Sequence, residues 1–525
     1  MIDYLKVGKA TELTGADYRW YRAGEILPGA LSWLTLLGLA AFSFWLPVWV
    51  AVFIILFDIY WLLLVIYLGI HLTIAFRRLQ ANLKVDYAAL LAKLPARAFT
   101  IAGNDGQTYT KSFNWREVWH LVILPTHNED YEVVSASLRA LAVDPYPKDK
   151  MIIVLATEER GGARTTAVAQ RVQQEFGSVF HNFLVTVHPD GIAGEIKGKG
   201  SNQAWAAKEA RARIIDRLNL DYDKILVTVL DVDTVVRAGY FYNLVYHFFQ
   251  AESPHRSSYQ PIPVYNNNVW RAPFFSRVAA FSNTFWQMML QIREEKLATY
   301  SSHSMTWRTL ADIGFWSTKM VSEDSRIFFH AFFFYNGDYR VQPLYFPVSM
   351  DACMDKSIWR SARNLYKQQR RWGWGVENVP YLLFNTRKRW RTLPKRRSLY
   401  QIFVQIHGFH SWATNALIIG AIGWLPLLVG GDRFNTTVLS NNLPVISQTL
   451  MNLAMVGLLL SAIFSTLLLP KRPPKYGVLK RVQIFLEWIF LPVSIIIFGA
   501  IPGLEAQTRL MLGKYMGYWV TPKKR

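Results

Sequence analysis

The chain has 525 residues, of which 51% are apolar and 15% aromatic, while 18% are charged against roughly 25% in a typical soluble protein. This balance argues against a wholly water-soluble chain, and a single cysteine, Cys353, excludes an intrachain disulfide. The formal net charge of +21 in so hydrophobic a chain favours membrane lipids with anionic head groups as partners, and we expect no nucleic acid.

The first membrane region follows a polar segment, residues 1–25, that lacks the pattern of a cleaved signal peptide. Within residues 26–78 the only charged side chain before two terminal arginines is Asp58. A helix of about 20 apolar residues crosses a bilayer, so this stretch predicts two transmembrane helices with a turn near Pro47.

Two charged features of this hairpin bear on its orientation in the membrane and on the role of its acidic residue. Arg77 and Arg78 follow the apolar run directly, and the positive-inside rule then places residues 1–25 and the region after Arg78 in the cytosol. Asp58 lies at membrane depth, where an ionisable group either forms a hydrogen bond between helices or belongs to a translocation path. The first interpretation is the more frequent one.

Residues 79–397 contain no spanning run and alternate strands with helices. Strand-like runs occupy 120–125, 151–156, 183–187 and 225–230. Helical composition occupies 131–142, 163–176 and 202–218. This alternation predicts a mostly parallel sheet covered by helices, with ligands at the carboxyl ends of the strands.

Polar motifs stand at those strand ends and beyond. The first is Pro-Thr-His-Asn-Glu-Asp at 125–130, directly after the first strand. A loop with glycine and lysine at 197–202 opens a helix and can approach phosphate closely, although it lacks the glycine spacing of a Walker loop. Asp231 and Asp233 end another strand, and oxygen ligands of this kind suit Mg²⁺ or Mn²⁺. Taken alone, such an acid pair is more often a solvated strand end.

The second half of this region adds two short motifs and two amphipathic stretches. Glu323 and Asp324 form an acidic pair, and Gln-Gln-Arg-Arg-Trp occupies 368–372. Residues 273–291 and 356–392 carry aromatic and basic side chains at helical spacing, which favours interfacial helices over ordinary core helices. His303 precedes the acidic pair, and we expect a hydrogen-bonded structural histidine there rather than a member of the acceptor pocket.

A second membrane region covers residues 398–504. Two apolar blocks, separated by Asp432 and Arg433, predict two transmembrane helices, and Lys471 with its basic neighbours marks a cytosolic loop. The last apolar segment, 482–504, contains Glu487 and two prolines, so a re-entrant or interfacial segment and a third crossing both remain open. Residues 505–525 form a basic tail expected in the cytosol.

Asp-x-Asp, then Glu-Asp, then Gln-x-x-Arg-Trp occur in the order that is typical of one protein family. In this ordered set the chain resembles membrane-embedded family 2 glycosyltransferases, in particular the branch of cellulose and hyaluronan synthases. The resemblance covers about 121–372 and the flanking helices. It implies an α/β GT-A domain in residues 79–397, inserted between N-terminal and C-terminal transmembrane helices, and an inverting mechanism.

The resemblance also implies roles for individual residues. Asp324 is expected to be the general base that takes the proton of the acceptor hydroxyl, with Glu323 beside it. Asp233, with Asp231, is expected to hold the metal and the donor diphosphate. The residues expected to bind the donor nucleotide are Thr126, Asn128, Glu129, Glu158, Lys199, Asn202 and Asp231. Those expected on the acceptor and diphosphate side are Gln368, Arg371 and Trp372.

One position departs from the family pattern. After the second strand the family usually has aspartate, whereas this chain has Thr-Glu-Glu-Arg at 157–160. Glu158 has a longer reach than aspartate, so the part of the donor that it contacts is left open.

The function expected from these features is transfer of a sugar from a nucleotide-diphosphate sugar, implied to be a UDP-sugar, to a glycan or lipid-linked acceptor. The first hypothesis is a polysaccharide synthase in the plasma (inner) membrane with its catalytic domain in the cytosol. The second is non-processive transfer of one sugar to a lipid carrier. A transporter or a scaffold with an inactive transferase domain is the alternative from another class, and the few polar groups in the spanning segments argue against a transporter. Protein partners are not indicated.

Overall fold

The computed structural model of the protein describes residues 3–102 and 108–522. Two long helices come first, α1 (Gly15–Trp45) and α2 (Pro47–Asn82), and the short helix α3 (Tyr87–Ala92) follows. Proline at the first position of α2 lacks an N–H group and therefore begins a helix rather than continuing one. The turn near Pro47 is confirmed, and both long helices are apolar and long enough to cross a membrane.

In the described residues, ten strands follow between the two sets of apolar helices. They are β1 (Arg97–Ala102), β2 (Thr108–Phe113), β3 (Trp119–Pro125), β4 (Met151–Glu158), β5 (Asn182–His188), β6 (Ile225–Val229), β7 (Val235–Val236), β8 (Ser257–Val264), β9 (Ser304–Thr306) and β10 (Arg340–Ser349). Strands β1 and β2 form an antiparallel pair of their own. The other eight form one sheet in the order β5-β4-β3-β6-β9-β8-β10-β7.

The four predicted strands are β3 to β6, and they pair in parallel as expected. The remaining half of the sheet makes it mixed, because β9 runs antiparallel to both of its neighbours. Strand β8 contains Pro261 and Pro263, and β10 changes register between Pro343 and Pro347. Proline weakens a strand pattern, which explains why the sequence did not indicate these two strands.

Nine helices of the described chain accompany this sheet. They are α4 (Tyr131–Val143), α5 (Gly162–Phe176), α6 (Lys199–Ala210), α7 (Tyr240–Gln250), α8 (Phe274–Ile292), α9 (Trp307–Asp312), α10 (Glu323–Phe334), α11 (Ile358–Gly373) and α12 (Asn378–Lys388). The helix predicted at 202–218 begins earlier, at Lys199, and ends at Ala210, where one π-helical turn follows. Apolar clusters on both faces of the sheet form the core.

The C-terminal region consists of further helices. They are α13 (Lys395–Gly420), α14 (Leu425–Val429), α15 (Gly431–Asn435), α16 (Val438–Leu467), α17 (Val478–Leu486), α18 (Leu491–Ile495) and α19 (Ile501–Met511). Helix α16 and the segment Val478–Met511 are each long and apolar enough to cross a membrane, whereas Lys395–Gly420 qualifies only together with Ile422–Val429, from which it is bent by 43°. The described residues thus contain four candidate spans, or five with the bent pair.

The segment Val478–Met511 contacts the α/β domain at both of its ends. Near its start, Glu487 accepts a hydrogen bond of 2.7 Å from Arg277 Nε on α8, and both side chains are buried. Near its end, Glu505 accepts a hydrogen bond of 2.6 Å from Arg370 on α11. The arginine on α8 explains how an acidic residue is tolerated in this apolar segment, because a buried charge needs a partner. The predicted tail extends beyond the described residues from 523 onwards.

Asp58 is buried between α2 and α16. Its Oδ2 atom accepts a hydrogen bond of 2.6 Å from Ser447 Oγ. The interpretation of Asp58 as a residue that joins two helices by a hydrogen bond is therefore supported.

Candidate active site

Residues predicted from three separate motifs, the lysine loop, the Asp-x-Asp pair and the Glu-Asp pair, meet at the carboxyl ends of the parallel strands, around Lys199. Its Nζ atom lies 2.7 Å from Asp231 Oδ1 and 2.8 Å from Asp324 Oδ2. Glu323 Oε1 is 3.8 Å away, and the lysine side chain is only 8% exposed. One ammonium group at the start of α6 thus holds together the acid after β6 and the acidic pair at the start of α10.

The charges of this cluster are tightly coupled. Burial alone would lower the pKa of Lys199, but Asp231, Asp324 and Glu323 raise it well above its ordinary value. For Glu323 burial acts first and Asp324 second, and together they raise its pKa to about 8. Near neutral pH the site therefore contains an ammonium group at Lys199 and a protonated Glu323, and the carboxyl group of Asp324, the side chain predicted to be the base, lies beside them.

The acid pair after β6 is held from several sides. Ser301 Oγ donates to Asp231 Oδ2 at 2.6 Å, and the backbone N–H of Asp351 donates to Asp233 Oδ2 at 3.1 Å. The side chain of Asn267 donates to the backbone oxygen of Asp233 and to the carboxylate of Asp351. Asp233 is 1% exposed, so its carboxylate is fixed in place before any ligand binds.

These two carboxylates have the chemistry of ligands for a hard divalent cation. Among the described residues, however, no three His, Cys, Asp or Glu side chains come together in a group that could hold a metal ion. Asp231 and Asp233 would therefore supply only part of the oxygen shell that Mg²⁺ or Mn²⁺ needs, and other ligands would have to complete it.

Asp324 has a second neighbour in His303. The ring atom His303 Nδ1 lies 4.0 Å from Asp324 Oδ1, but it donates its hydrogen bond of 2.8 Å to the backbone oxygen of Tyr300. The histidine is buried, and burial lowers its pKa, so the neutral ring is favoured. This arrangement agrees with the expectation of a hydrogen-bonded structural histidine.

The loop after β3 is ordered by Glu129. Its Oε2 atom accepts hydrogen bonds from Thr126 Oγ1 at 2.8 Å, from the N–H of His127 at 2.8 Å and from the N–H of Asn128 at 3.1 Å. Thr126 and Asn128, which were predicted to bind the nucleotide together with Glu129, are thus both hydrogen-bonded to Glu129. The carboxylate of Glu129 shapes the loop, and the loop backbone stands at the strand end where a nucleotide is expected.

Glu158, at the position that departs from the family pattern, already has partners within the protein. Glu158 Oε2 forms an ion pair with Arg160 Nε at 2.5 Å, and Glu158 Oε1 lies 3.9 Å from His127 Nδ1. The Glu158 side chain is 6% exposed. In the described structure, this carboxylate therefore joins the ends of two neighbouring strands, β3 and β4.

The start of α6 is fitted closely to the rest of the site. Asn202 Nδ2 donates to the backbone oxygen of Ala156 at 2.7 Å, which fixes α6 to the end of β4. At Gly200 a Cβ atom would lie 2.8 Å from the backbone oxygen of Ser317 and 3.1 Å from Glu323 Cβ. Glycine is needed here because α6 approaches the acidic pair so closely.

The Gln-x-x-Arg-Trp motif lies at the end of α11 and faces the C-terminal tail. The guanidinium of Arg371 lies over the ring of Tyr518, 5.0 Å from its centroid, and the rings of Trp372 and Tyr265 are 6.1 Å apart. Gln368 is half-buried on the same helix. A Cβ atom at Gly198 would lie 2.5 Å from the Tyr518 ring, so the tail packs against the lysine loop as well.

Sequence reasoning missed four residues of this site: Asn267, Ser301, Asp351 and Tyr518. Asp351 lies two residues beyond the end of β10, so recognition of that strand would have indicated it. Tyr518 belongs to a segment that the sequence marked only by its basic residues. Serine and asparagine at single positions carry no pattern from which these contacts can be inferred.

The arrangement has two chemical capacities. Asp324 provides a carboxylate that can accept a proton once Lys199, which donates to both of its oxygens, has released it. Lys199, Arg371 and the first turn of α6 provide positive charge for a phosphate group. A proton acceptor beside an anion-binding surface suits the attack of a hydroxyl on a carbon atom that bears a phosphate leaving group.

Comparison with known proteins adds a family and two distant structures. A family model described as glycosyl transferase family group 2 matches residues 226–498, just over half of the chain. No curated protein sequence matches. One similar structure is a mannosyltransferase from Pyrobaculum calidifontis in complex with GDP-Man and Mn²⁺, with a TM-score of 0.39 and 14% identity over 74% of this chain and 99% of that one. Another is S. aureus TarS 1–349 in complex with UDP-GlcNAc, with a TM-score of 0.36 and 12% identity over 67% and 91% of the two chains.

Proposed function

The chain belongs to glycosyl transferase family group 2, and from that premise we propose that it is a membrane polysaccharide synthase that transfers a sugar, with inversion, from a UDP-sugar to a hydroxyl of a growing glycan. Family membership makes the chain a glycosyltransferase and confirms the resemblance at the level of the family. The α/β domain between two sets of apolar helices is the GT-A fold class that the resemblance implied. The assignment to the synthase branch, the UDP-sugar donor and the glycan acceptor are proposals.

The observation that supports this proposal most directly is the meeting of Lys199, Asp231 and Asp324 within hydrogen-bonding distance. The two acids are far apart in sequence, and each stands at the end or start of an element that faces the same edge of the sheet. A bystander domain has no physical need to bury a lysine between them. Loss of solvation is costly for these charges, and within the described residues their pairing with one another offsets it.

In the proposed reaction, Asp324 accepts the proton of the acceptor hydroxyl while the hydroxyl oxygen attacks the anomeric carbon and the bond from that carbon to the diphosphate oxygen breaks. In the described structure Lys199 donates to both oxygens of Asp324, at 2.9 and 2.8 Å. The lysine must therefore release this carboxylate before it can act. The donor diphosphate offers Lys199 another anionic partner, so donor binding and exposure of the base are coupled.

The charge of the leaving diphosphate is met by several groups. Arg371 Nε is buried and has no hydrogen-bond partner within the described ranges, as suits a donor that a ligand will engage. Lys199 and the N–H groups at the start of α6 lie on the same side. A divalent cation bound through Asp231 and Asp233 supplies further neutralisation of the diphosphate when present.

For the membrane arrangement we propose four crossings, with the catalytic domain on the cytosolic side of the inner membrane. The crossings are α1, α2, α13 with the bent helix after it, and α16. The segment Val478–Met511 then lies along the domain, because Arg277 and Arg370 hold its two ends and Tyr518 beyond it reaches Arg371. A full crossing would carry the tail to the opposite side from the site that it contacts.

This topology is tested by cysteine labelling. In a background with Cys353→Ser, single cysteines at the exposed positions Lys514 and Arg433 are treated in intact cells with a membrane-impermeant thiol reagent. We expect labelling at Arg433→Cys and protection at Lys514→Cys until the membrane is opened. Labelling of Lys514→Cys in intact cells would show that Val478–Met511 crosses.

The function is tested by nucleoside diphosphate release from UDP-, GDP- and other nucleotide sugars. The full chain is purified in nanodiscs with Mg²⁺ or Mn²⁺, and Asp233→Asn and Asp324→Asn are measured beside it. We expect metal-dependent release from a UDP-sugar, loss of release in both variants, and products that form long chains on a gel. Single additions to a lipid would establish the non-processive alternative. Failure to bind or use any donor would favour the alternative hypothesis of a transporter, or of a scaffold with an inactive transferase domain.

A further inference from the structure

A groove between two membrane helices lies outside the proposed site. It is a cavity of about 430 Å³ between α2 and α16. Ile66, Ile70 and Ile74 line it from α2, Leu453 and Val456 line it from α16, and Arg77 closes it at the end nearest the α/β domain. Its volume falls within the range of about 300–1,000 Å³ that is usual for ligand sites.

Two glycines give the groove its shape. A Cβ atom at Gly457 would overlap the side chain of Val65, and one at Gly69 would lie 3.1 Å from Leu460 Cδ1. The two helices are therefore in close contact at these levels, as small residues allow in membranes. Beside this contact the larger side chains stand out, with Ile70 54% and Val456 58% exposed. The result is an apolar channel open along one side.

The two consecutive arginines at the end of α2 differ in their contacts. Arg78 donates a hydrogen bond of 2.7 Å to Tyr345 Oη, and its guanidinium lies over the same ring at 5.0 Å. Arg77 lines the groove and forms no ion pair or hydrogen bond within residues 3–102 and 108–522. The neighbouring polar side chain, Thr73, already donates to the backbone oxygen of Gly69. One cation without a partner thus stands at the mouth of an apolar channel.

We propose that this groove binds one anionic phospholipid, with an acyl chain along the channel and the phosphate on Arg77. Apolar walls suit the chain, and the planar guanidinium suits two oxygens of a phosphate. Basic pockets between transmembrane helices are known to bind lipid head groups on the cytosolic side. The lipid joins α2, which leads into the catalytic domain, to α16. This site is separate from the donor site and does not depend on the proposed reaction.

The test is native mass spectrometry of the delipidated full chain, titrated with phosphatidylglycerol or phosphatidylcholine of identical acyl chains. We expect one phosphatidylglycerol to bind preferentially. Arg77→Gln should weaken its binding about fivefold, since a basic residue near an anionic lipid contributes about that factor, and Arg77→Lys should restore part of it. Arg78→Gln is the matched control and should leave the preference intact. Val456→Trp, which fills the channel, should weaken binding of both lipids.

Two outcomes would overturn the proposal. Equal losses in Arg77→Gln and Arg78→Gln would indicate attraction to a diffuse basic surface rather than a site. Equal binding of the two lipids to the unmodified chain would show that the groove binds acyl chains without distinguishing between the head groups. Thermal unfolding of each variant in the same detergent separates lost binding from lost folding.

Discussion

Lys199 donates to both carboxylate oxygens of Asp324, at 2.9 Å and 2.8 Å, and so occupies the atoms that the acceptor proton must reach. The same ammonium group contacts Asp231 at 2.7 Å. A lysine that joins the predicted base to the predicted diphosphate ligand connects the two halves of the reaction. In the proposed reaction Asp324 becomes available when Lys199 pairs with another anion, which the diphosphate of the donor supplies.

Replacing Lys199 by methionine should abolish turnover. The side chain keeps its length, but Asp231 and Asp324 lose the shared cation, and the donor loses a phosphate contact. We expect release of nucleoside diphosphate to fall by roughly a hundredfold or more, which corresponds to the loss of about two charge-assisted hydrogen bonds. Lys197→Met serves as control, because Lys197 is 55% exposed and, among the residues that the structure describes, pairs only with Asp190. A similar loss in both variants would contradict the assignment.

Asp324→Asn should separate binding from chemistry. Asparagine preserves the shape but cannot accept the acceptor proton, so kcat should fall by roughly 10²–10⁴-fold. Donor affinity, measured by calorimetry, should not fall, because the change frees Lys199 from Asp324 for the diphosphate. The exposed Asp216→Asn provides the comparison for a lost surface carboxylate. If donor binding and kcat fell together, Asp324 would be a ligand of the donor rather than the base.

The ionisation of Glu323 predicts a pH effect on stability. Its pKa is raised to about 8 by burial and by Asp324, from an ordinary value of 4.5, so the folded protein binds the proton more tightly than the unfolded chain does. This contribution to stability is complete below pH of about 4.5 and is lost as pH rises towards 8. Thermal unfolding between pH 5 and 9 should show a decline in the unmodified protein that is smaller in Glu323→Gln. If the stability of the two proteins changed in parallel with pH, this prediction would be wrong.

Tyr518 should contribute to retention of the donor. Its ring lies against Gly198 and under the guanidinium of Arg371, so Tyr518→Ala opens one side of the site. We expect the donor KM to rise about tenfold, because a cation–π contact and an apolar wall of this size contribute about 1–2 kcal/mol. Gly198→Ala should have a similar effect by displacing the ring. The combined variant Gly198→Ala with Tyr518→Ala should then raise the donor KM little further than Tyr518→Ala alone. If the effects of the two substitutions on KM were fully additive, the result would argue against the contact.

Arg277 and Glu487 should be among the most sensitive positions for stability. Both side chains are buried, and loss of one partner leaves an unpaired charge, so Glu487→Gln should destabilise the protein by about 3–5 kcal/mol. Arg277→Met with Glu487→Met should recover much of that loss. Glu295→Gln breaks an exposed pair with Arg293 and should cost less than about 1 kcal/mol. Equal effects of the buried and exposed changes in thermal unfolding would disprove this ranking.

The sequence predicted the first half of the sheet well, because β3 to β6 are uninterrupted apolar runs that end in polar motifs. It did not predict β8 and β10, whose prolines disguise the pattern, nor the contact of Tyr518 with Arg371, which depends on the path of the chain through seven helices. The structure also shows that Arg389 and Arg397 donate to backbone oxygens of Phe333, Gly337 and Tyr339. No sequence pattern indicates these contacts, because each depends on the packing of distant elements.

The position of Tyr518 has a consequence for the order in which the protein is made. All other side chains of the site precede the C-terminal membrane helices in the chain, whereas Tyr518 follows them. Domains of a growing chain tend to fold as they emerge from the ribosome. The α/β domain can therefore form early, but its site acquires this last wall only after α13 to α19 have been synthesised and α13 to α16 have been placed in the bilayer. Maturation of the donor site would thus depend on completed membrane insertion.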